Sequence, residues 1–333
     1  MYKQKLAIIV QSIIKSNTVS DHTKCAKDLS DFYSSLSVQH SDGNEVSVKG
    51  GIALSSSGAA DCIDDYLRTI YFIKGIYKAL NKLSDDFPQR SINILYAGCG
   101  PYATLILPLL PLFNKERINA ILLDINAESI ESVRHLLKVI GLNEYSLQLI
   151  ETDAITYTKP EDFIIDLAIS ETMHYALTRE PQVAIVKNIV KQLPEHAILI
   201  PEEIKIDLAY TFFDYEPSLK KAIKEVKGYN ETQPYPHHVF VDRLFTISKE
   251  LGSLSHDSKF ESDFYDLPEN FTESPDICLF TEIKVFEDIK LKTAESYITN
   301  PYCVTSIYSL NGYSEIQLIY DFSEIPKWSY NKK

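Results

Sequence analysis

Between Ser91 and Pro201, short apolar runs alternate with amphipathic stretches of helical period. Runs at 92–97 (INILYA), 119–125, 146–151, 164–170 and 197–201 read as strands. Stretches 102–113, 127–141 and 181–193 read as helices, the second ending at Gly141 and the third opening near Pro181. Most of these strand runs are nearly continuous in apolar residues rather than alternating, so both faces of their sheet must be covered. Right-handed crossovers then leave a doubly wound, Rossmann-like parallel sheet as the consistent architecture.

The flanks carry other periods. Residues 1–88 read as mostly helical, with apolar positions at helical spacing through 6–14 and 62–80 and a polar loop over Ser37–Ser57. After Pro201, segments 204–213, 238–248, 277–286, 289–299, 303–310 and 314–322 alternate at roughly period two, which predicts antiparallel strands. Polar insertions near 214–236 and 250–275 interrupt them. The 333 residues are therefore expected to divide into a helical N-terminal segment (1–88), a Rossmann-like domain (89–201) and a β-rich domain (202–333).

Charge and cysteine content narrow the function. A net charge of −13 disfavours a nucleic-acid surface, which needs a basic field. It suits a neutral or cationic small-molecule or peptide partner. Five cysteines without CxxC spacing favour neither a disulfide framework nor a zinc site, and point to reduced thiols in a cytoplasm. His237 and His238 lack a carboxylate or thiol at metal spacing, so no metal is expected. The N-terminal apolar stretch is broken by Gln11 and Ser12 and reads as a docking helix rather than a signal peptide. Leu105–Phe113, the longest apolar run, is too short to span a membrane and holds Pro108 and Pro111.

The sharpest local feature is Tyr96-Ala97-Gly98-Cys99-Gly100-Pro101, placed after the first strand of the sheet. In a chain with only 11 glycines, so close a pair stands out. Gly98 and Gly100 let the backbone approach a ligand, with Cys99 as a small residue filling the turn. A helix N-terminus just beyond would favour negative charge. The third glycine of a dinucleotide loop is missing, because position 103 is Ala. Asp124 ends the second strand, suited to ribose hydroxyls, and Asp153-Ala154 follows the third, suited to an adenine amino group. Together these residues resemble the S-adenosyl-L-methionine (SAM) site of class I methyltransferases, whose product is S-adenosyl-L-homocysteine (SAH).

After the fourth strand comes Ser170-Glu171-Thr172-Met173-His174-Tyr175-Ala176-Leu177-Thr178-Arg179-Glu180. This stretch resembles the double-glutamate loop of the protein arginine methyltransferases. The resemblance implies that Glu171 and Glu180 clamp a guanidinium, a planar fork that paired carboxylates bind bidentately. It implies that Arg68 grips the SAM carboxylate, that a β-barrel-like domain follows the sheet, and that Met173, His174 and Tyr175 contact substrate. For His174, a base, a substrate contact and a plain loop residue all stay open. The insertions read either as a homodimerisation arm or as surface excursions. Tyr66 and Tyr71 read as a site roof or as core, and Trp328 as an anchor of the C-terminus.

The chain departs from the family at three places. Asp124 stands where the family has Glu, and Thr172 where it has an aromatic residue. The late Thr-His-Trp loop finds its best match at 299–306, which holds neither His nor Trp. The expected function is SAM-dependent N-methylation of a guanidino or amino group. The alternatives are a small-molecule O- or N-methyltransferase with an acidic lid, a non-catalytic SAM-binding interaction protein, and a nicotinamide oxidoreductase.

Overall fold

The computed structural model describes residues 1–36, 43–213, 239–251, 254, 258–268 and 275–333. The insertion at 214–236, the His237-His238 pair and parts of the 37–57 and 250–275 stretches lie outside the described residues.

The N-terminal segment holds α1 (Tyr2–Lys15), α2 (Val19–Ser34), the antiparallel hairpin of β1 (Val46–Val48) and β2 (Gly51–Ala53), α3 (Ser56–Asp61) and α4 (Tyr66–Asp86). In α1, Leu6, Ile9, Val10 and Ile13 share one buried face at i, i+3, i+4 and i+7. Burying each such side chain contributes about 1.5–3 kcal/mol. Thr18 caps α2 by accepting from Asp21 N at 3.1 Å. The stretch expected as a plain loop before α3 contains the hairpin, whose three-residue strands are too short to leave a periodic signal. Tyr66 and Tyr71 pack against the core, and Tyr66 also lines the same cleft as Glu180.

The central sheet comprises β3 (Ile92–Ala97), β4 (Ile118–Asp124), β5 (Ser146–Glu151), β6 (Leu167–Ser170) and β7 (Ile198–Ile200). Its order is β5-β4-β3-β6-β7 and all pairs are parallel. The crossovers use α5 (Ala127–Ile140), capped by Gly141 at φ 84°, and α6 (Gln182–Val190), with Pro181 as its N-cap residue. The helix expected at 102–113 does not form. Turns lead into a 3-10 segment, Leu107–Leu112, because Pro108 and Pro111 lack N–H donors and Ala103 has φ 44°.

Beyond β7 the chain turns antiparallel, through β8 (Glu203–Thr211), β9 (Val239–Ile247), β10 (Lys259–Asp266), β11 (Asp276–Phe286), β12 (Ile289–Leu291), β13 (Tyr302–Ser306), β14 (Glu315–Asp321) and β15 (Lys327–Lys332). One sheet runs β12-β11-β8-β9 with β13 also paired to β11, and a second runs β10-β14-β15. Rings join them: Phe245 of β9 stacks on Trp328 of β15 at 5.9 Å and 4°. The strand expected over 289–299 stops at Leu291, and the one expected to reach Leu310 stops at Ser306 and passes into a 3-10 turn. β10 and β15 were not expected, because Lys, Glu, Asp and Asn fill their exposed positions.

Candidate active site

The glycine loop leaves β3 with Gly98 at φ 70° and Gly100 at φ 62°. A Cβ at Gly98 would sit 2.4 Å from the Thr172 methyl group, so the loop and the acidic segment touch at this point. Gly98 N and Cys99 N donate to Leu123 O at 2.9 and 3.0 Å, and Gly100 N donates to Asp124 Oδ2 at 2.8 Å. The expected helix N-terminus is therefore absent, and these amides face β4. Close backbone approach, not a helix dipole, is what the loop offers a ligand. Asp124 Oδ1 also accepts from Asn126 N at 2.9 Å, and burial raises its pKa. Asp153 closes the turn after β5, Oδ1 accepting from Ile155 N at 2.8 Å.

Gly98, Cys99, Gly100, Asp124, Asp153 and Ala154 line one cavity. Its opposite wall comes from the N-terminal segment, through Val48, Ala53, Leu54 and Ala59. Gly98→Ala is expected to destabilise the fold by about 1–3 kcal/mol, from the clash with Thr172 and the positive φ. An unchanged urea midpoint would contradict this geometry.

The acidic segment between β6 and α6 is strained. Ala176, Leu177 and Arg179 have φ of 51°, 56° and 68°. Such conformations cost about 1–3 kcal/mol each and persist only under outside constraint. The constraint comes from far along the chain. Trp328 Nε1 donates to Ala176 O at 2.9 Å, and Tyr320 Oη donates to Leu177 O at 2.7 Å. Arg179 N donates to Pro326 O at 2.9 Å, and Ile52 N of the hairpin donates to Arg179 O at 2.8 Å. Gly51 brings the hairpin so close that a Cβ there would sit 2.5 Å from Pro181 N.

Gln182, fully buried, ties the two ends of the segment. Its Oε1 accepts from Thr172 N at 3.0 Å and Thr172 Oγ1 at 2.9 Å, and its Nε2 donates to Ser170 O at 2.9 Å. Gln182, Tyr320 and Tyr297 were not singled out from the sequence. Gln182 alone left a signal, as a polar residue on the core face it shares with Val186 and Ile189 at i+4 and i+7. Trp328 anchors the last strand, as expected, and also holds the loop.

Charge concentrates where two cavities meet. Arg68 Nη1 lies 3.0 Å from Glu171 Oε2, and the residues are 8% and 9% exposed. Arg68 Nε and Glu171 Oε1 are buried without a hydrogen-bond partner among the described residues. Both side chains line the first cavity. Burial raises the Glu171 pKa, opposed by the Arg68 charge. Burial, and then the negative charge of Glu171, push Glu180 up to about 8.

The second cavity is a cleft of about 700 Å³. It shares Leu54, Cys62, Arg68, Met173 and Glu180 with the first, so these residues form a common wall. His174 lines the cleft, while Tyr175 stands behind it with its ring 3.9 Å from that of His174. Glycine loop, strand-end acids, Arg68 and both glutamates are thus brought together. The arrangement combines a narrow chamber with a wider cleft, joined at the Arg68 guanidinium and the Glu180 carboxylate, with Glu171 on the chamber side. Among the described residues no group of three His, Cys, Asp or Glu is placed to hold a metal, and no helix is long and apolar enough to cross a membrane.

No family model matches the chain. The aspartate–tRNA ligase of Staphylococcus carnosus is 24% identical over 169 aligned positions, covering 44% of this chain and 27% of that protein. The chain thus spans about a quarter of the length of the curated relatives it matches. Among solved structures, the PRMT1 enzyme–prozyme heterotetrameric complex of Trypanosoma brucei with AdoHcy matches at a TM-score of 0.51 and 12% identity, over 81% of this chain and 96% of that one. Protein arginine methyltransferase 10 of Arabidopsis thaliana matches at 0.49 and 13%, over 82% and 96%. The likeness is one of fold: a parallel sheet behind a helical segment and followed by antiparallel sheets, as in the protein arginine methyltransferases.

Proposed function

We propose that the chain is a SAM-dependent methyltransferase that N-methylates a guanidino or amino group on a peptide, protein or small metabolite. The observation that carries this reading is the wall common to both cavities, where Arg68 and Glu180 stand, with Glu171 paired to Arg68 on the side of the glycine loop. When bound, SAM supplies an electrophilic methyl group. Asp124 would hold the ribose and Asp153 the adenine amino group. The orphaned Arg68 Nε is a donor available to the carboxylate of the methionyl part.

Glu180 on the cleft side and the unpaired Glu171 Oε1 on the chamber side would take the edge of a cationic acceptor. Paired carboxylates draw positive charge toward themselves, so the far nitrogen keeps electron density for attack. The displacement is in line, and positioning supplies most of its rate. The strained backbone of the loop, fixed by Trp328, Tyr320 and Gln182, serves that positioning.

Isothermal titration with SAM tests the cofactor half, and micromolar to millimolar binding is expected. Absence of binding at millimolar SAM would sink the assignment. Labelled SAM offered with free arginine, other guanidino compounds and phenols tests the acceptor half. Label is expected in the guanidino compounds, and phenol-only labelling would overturn the nitrogen reading.

A further inference from the structure

No His or Trp occurs in 299–306, yet the cleft has an ordered wall nearby. Tyr297, in the single turn Tyr297–Thr299, lines the cleft together with Glu180, Met173 and Arg68. Asp65 at the start of α4 fixes its backbone, Oδ2 accepting from Tyr297 N at 2.8 Å and from Ser296 Oγ at 2.6 Å. Tyr297 Oη lies 2.9 Å from His174 Nε2, and His174 Nδ1 lies 2.7 Å from Thr178 Oγ1.

Proton counting sets the direction of this chain. Thr178 has one hydroxyl proton and donates it to Tyr175 O at 2.8 Å. Toward His174 it can then only accept, so Nδ1 carries the ring proton. Burial and the positive charge of Arg179 push the His174 pKa down to about 4, which keeps the ring neutral at ordinary pH. Nε2 is therefore a bare lone pair, and the Tyr297 hydroxyl donates to it. Although 53% exposed, Tyr297 is held at both backbone and hydroxyl, and its ring lies 5.5 Å from that of Tyr175 at an interplanar angle of 77°.

We propose that Tyr297 is an acceptor-binding residue, its ring forming the aromatic face on which a planar cation packs, with His174 as its positioning residue. This inference rests on the methyltransferase reading of the same cleft. A guanidinium is planar and weakly hydrated, and it stacks on aromatic faces while its edge meets carboxylates. Tyr297 offers the face, and Glu180, lining the same cleft, offers the edge. A ring already fixed loses little freedom on binding. His174 thereby acts through a tyrosine.

The test is calorimetric titration of acetyl-arginine amide into SAH-saturated protein. Tyr297→Leu is expected to weaken the probe about tenfold, while Tyr297→Phe, which keeps the ring, costs about threefold. His174→Ala is expected to cost about threefold, and His174→Ala with Tyr297→Phe no more than either alone, because both break one hydrogen bond. SAH affinity is expected to be unchanged throughout, which a general structural defect would not allow. Equal probe affinity in the wild type and Tyr297→Leu overturns the proposal and leaves the methyltransferase reading standing. SAH binding without any probe binding by the wild type overturns the guanidino-acceptor reading and this proposal together. Nitrogen-15 spectra of His174 should show the Nδ1–H tautomer, and an Nε2–H tautomer overturns the positioning role.

Discussion

Glu171→Gln is expected to lower kcat by at least about 10²–10³-fold while leaving SAM affinity within a few-fold of the wild type. The substitution removes half of the clamp but leaves Gly98, Gly100, Asp124 and Asp153 in place. Arg68→Ala is expected to be worse for stability. It leaves the Glu171 carboxylate, 9% exposed, without its partner at 3.0 Å. Breaking a buried pair from one side costs about 3–5 kcal/mol, because the remaining charge stays buried. Arg68→Met combined with Glu171→Gln should recover most of that loss without restoring turnover. Urea denaturation and labelled-SAM turnover on the three variants read the two effects separately. Full activity in Glu171→Gln would refute the clamp.

Acceptor binding is expected to depend on pH through Glu180. Its carboxyl titrates near pH 8, raised first by burial and then by the charge of Glu171. Below that pH the free site holds a proton that a cationic acceptor must expel. Affinity should therefore rise about tenfold per pH unit up to about 8 and level off above it. Calorimetry in buffers of different ionisation enthalpy should show about one proton released per acceptor bound at pH 7. Glu180→Gln should abolish both the slope and the release, and a flat profile in the wild type would remove Glu180 from the clamp. The same shift acts on folding with a definite sign. The unfolded chain loses this proton near pH 4.5 and the folded site near 8, so this group's contribution lowers stability as pH rises between those values.

The parallel sheet was legible because β3, β4 and β6 are apolar at nearly every position, which few other environments tolerate. The 102–113 stretch was misread because its leucines fit a helical period while Pro108 and Pro111 forbid the hydrogen bonds that period needs. Alternation at 289–299 likewise resembled a strand, but Ser296 caps a turn there and Thr299 completes its capping box. β10 and β15 carry little apolar patterning because they form a small sheet with exposed positions along both strands.

In the site, residues adjacent in sequence were legible and their supports were not. Gly98–Gly100 and Glu171–Glu180 are local patterns with local chemistry. Tyr297 meets His174 across 123 positions, and Ser296 meets Asp65 across 231. No spacing rule reaches that far. The Arg68–Glu171 pair joins two residues that the resemblance had assigned to different ligands. Only the packing of α4 against the β6–α6 segment reveals that each is the other's partner.

The tie between Trp328 and the acidic segment also sets an order of events. Ala176 O finds its donor 152 residues later in the chain. At about 5–20 residues per second, a ribosome needs roughly 8–30 s to travel that distance. During that interval the parallel sheet can form, but the backbone of the acidic segment lacks the contacts that hold it at positive φ. A nascent chain would therefore build its parallel sheet first and fix the backbone of the acidic segment only when β15 emerges.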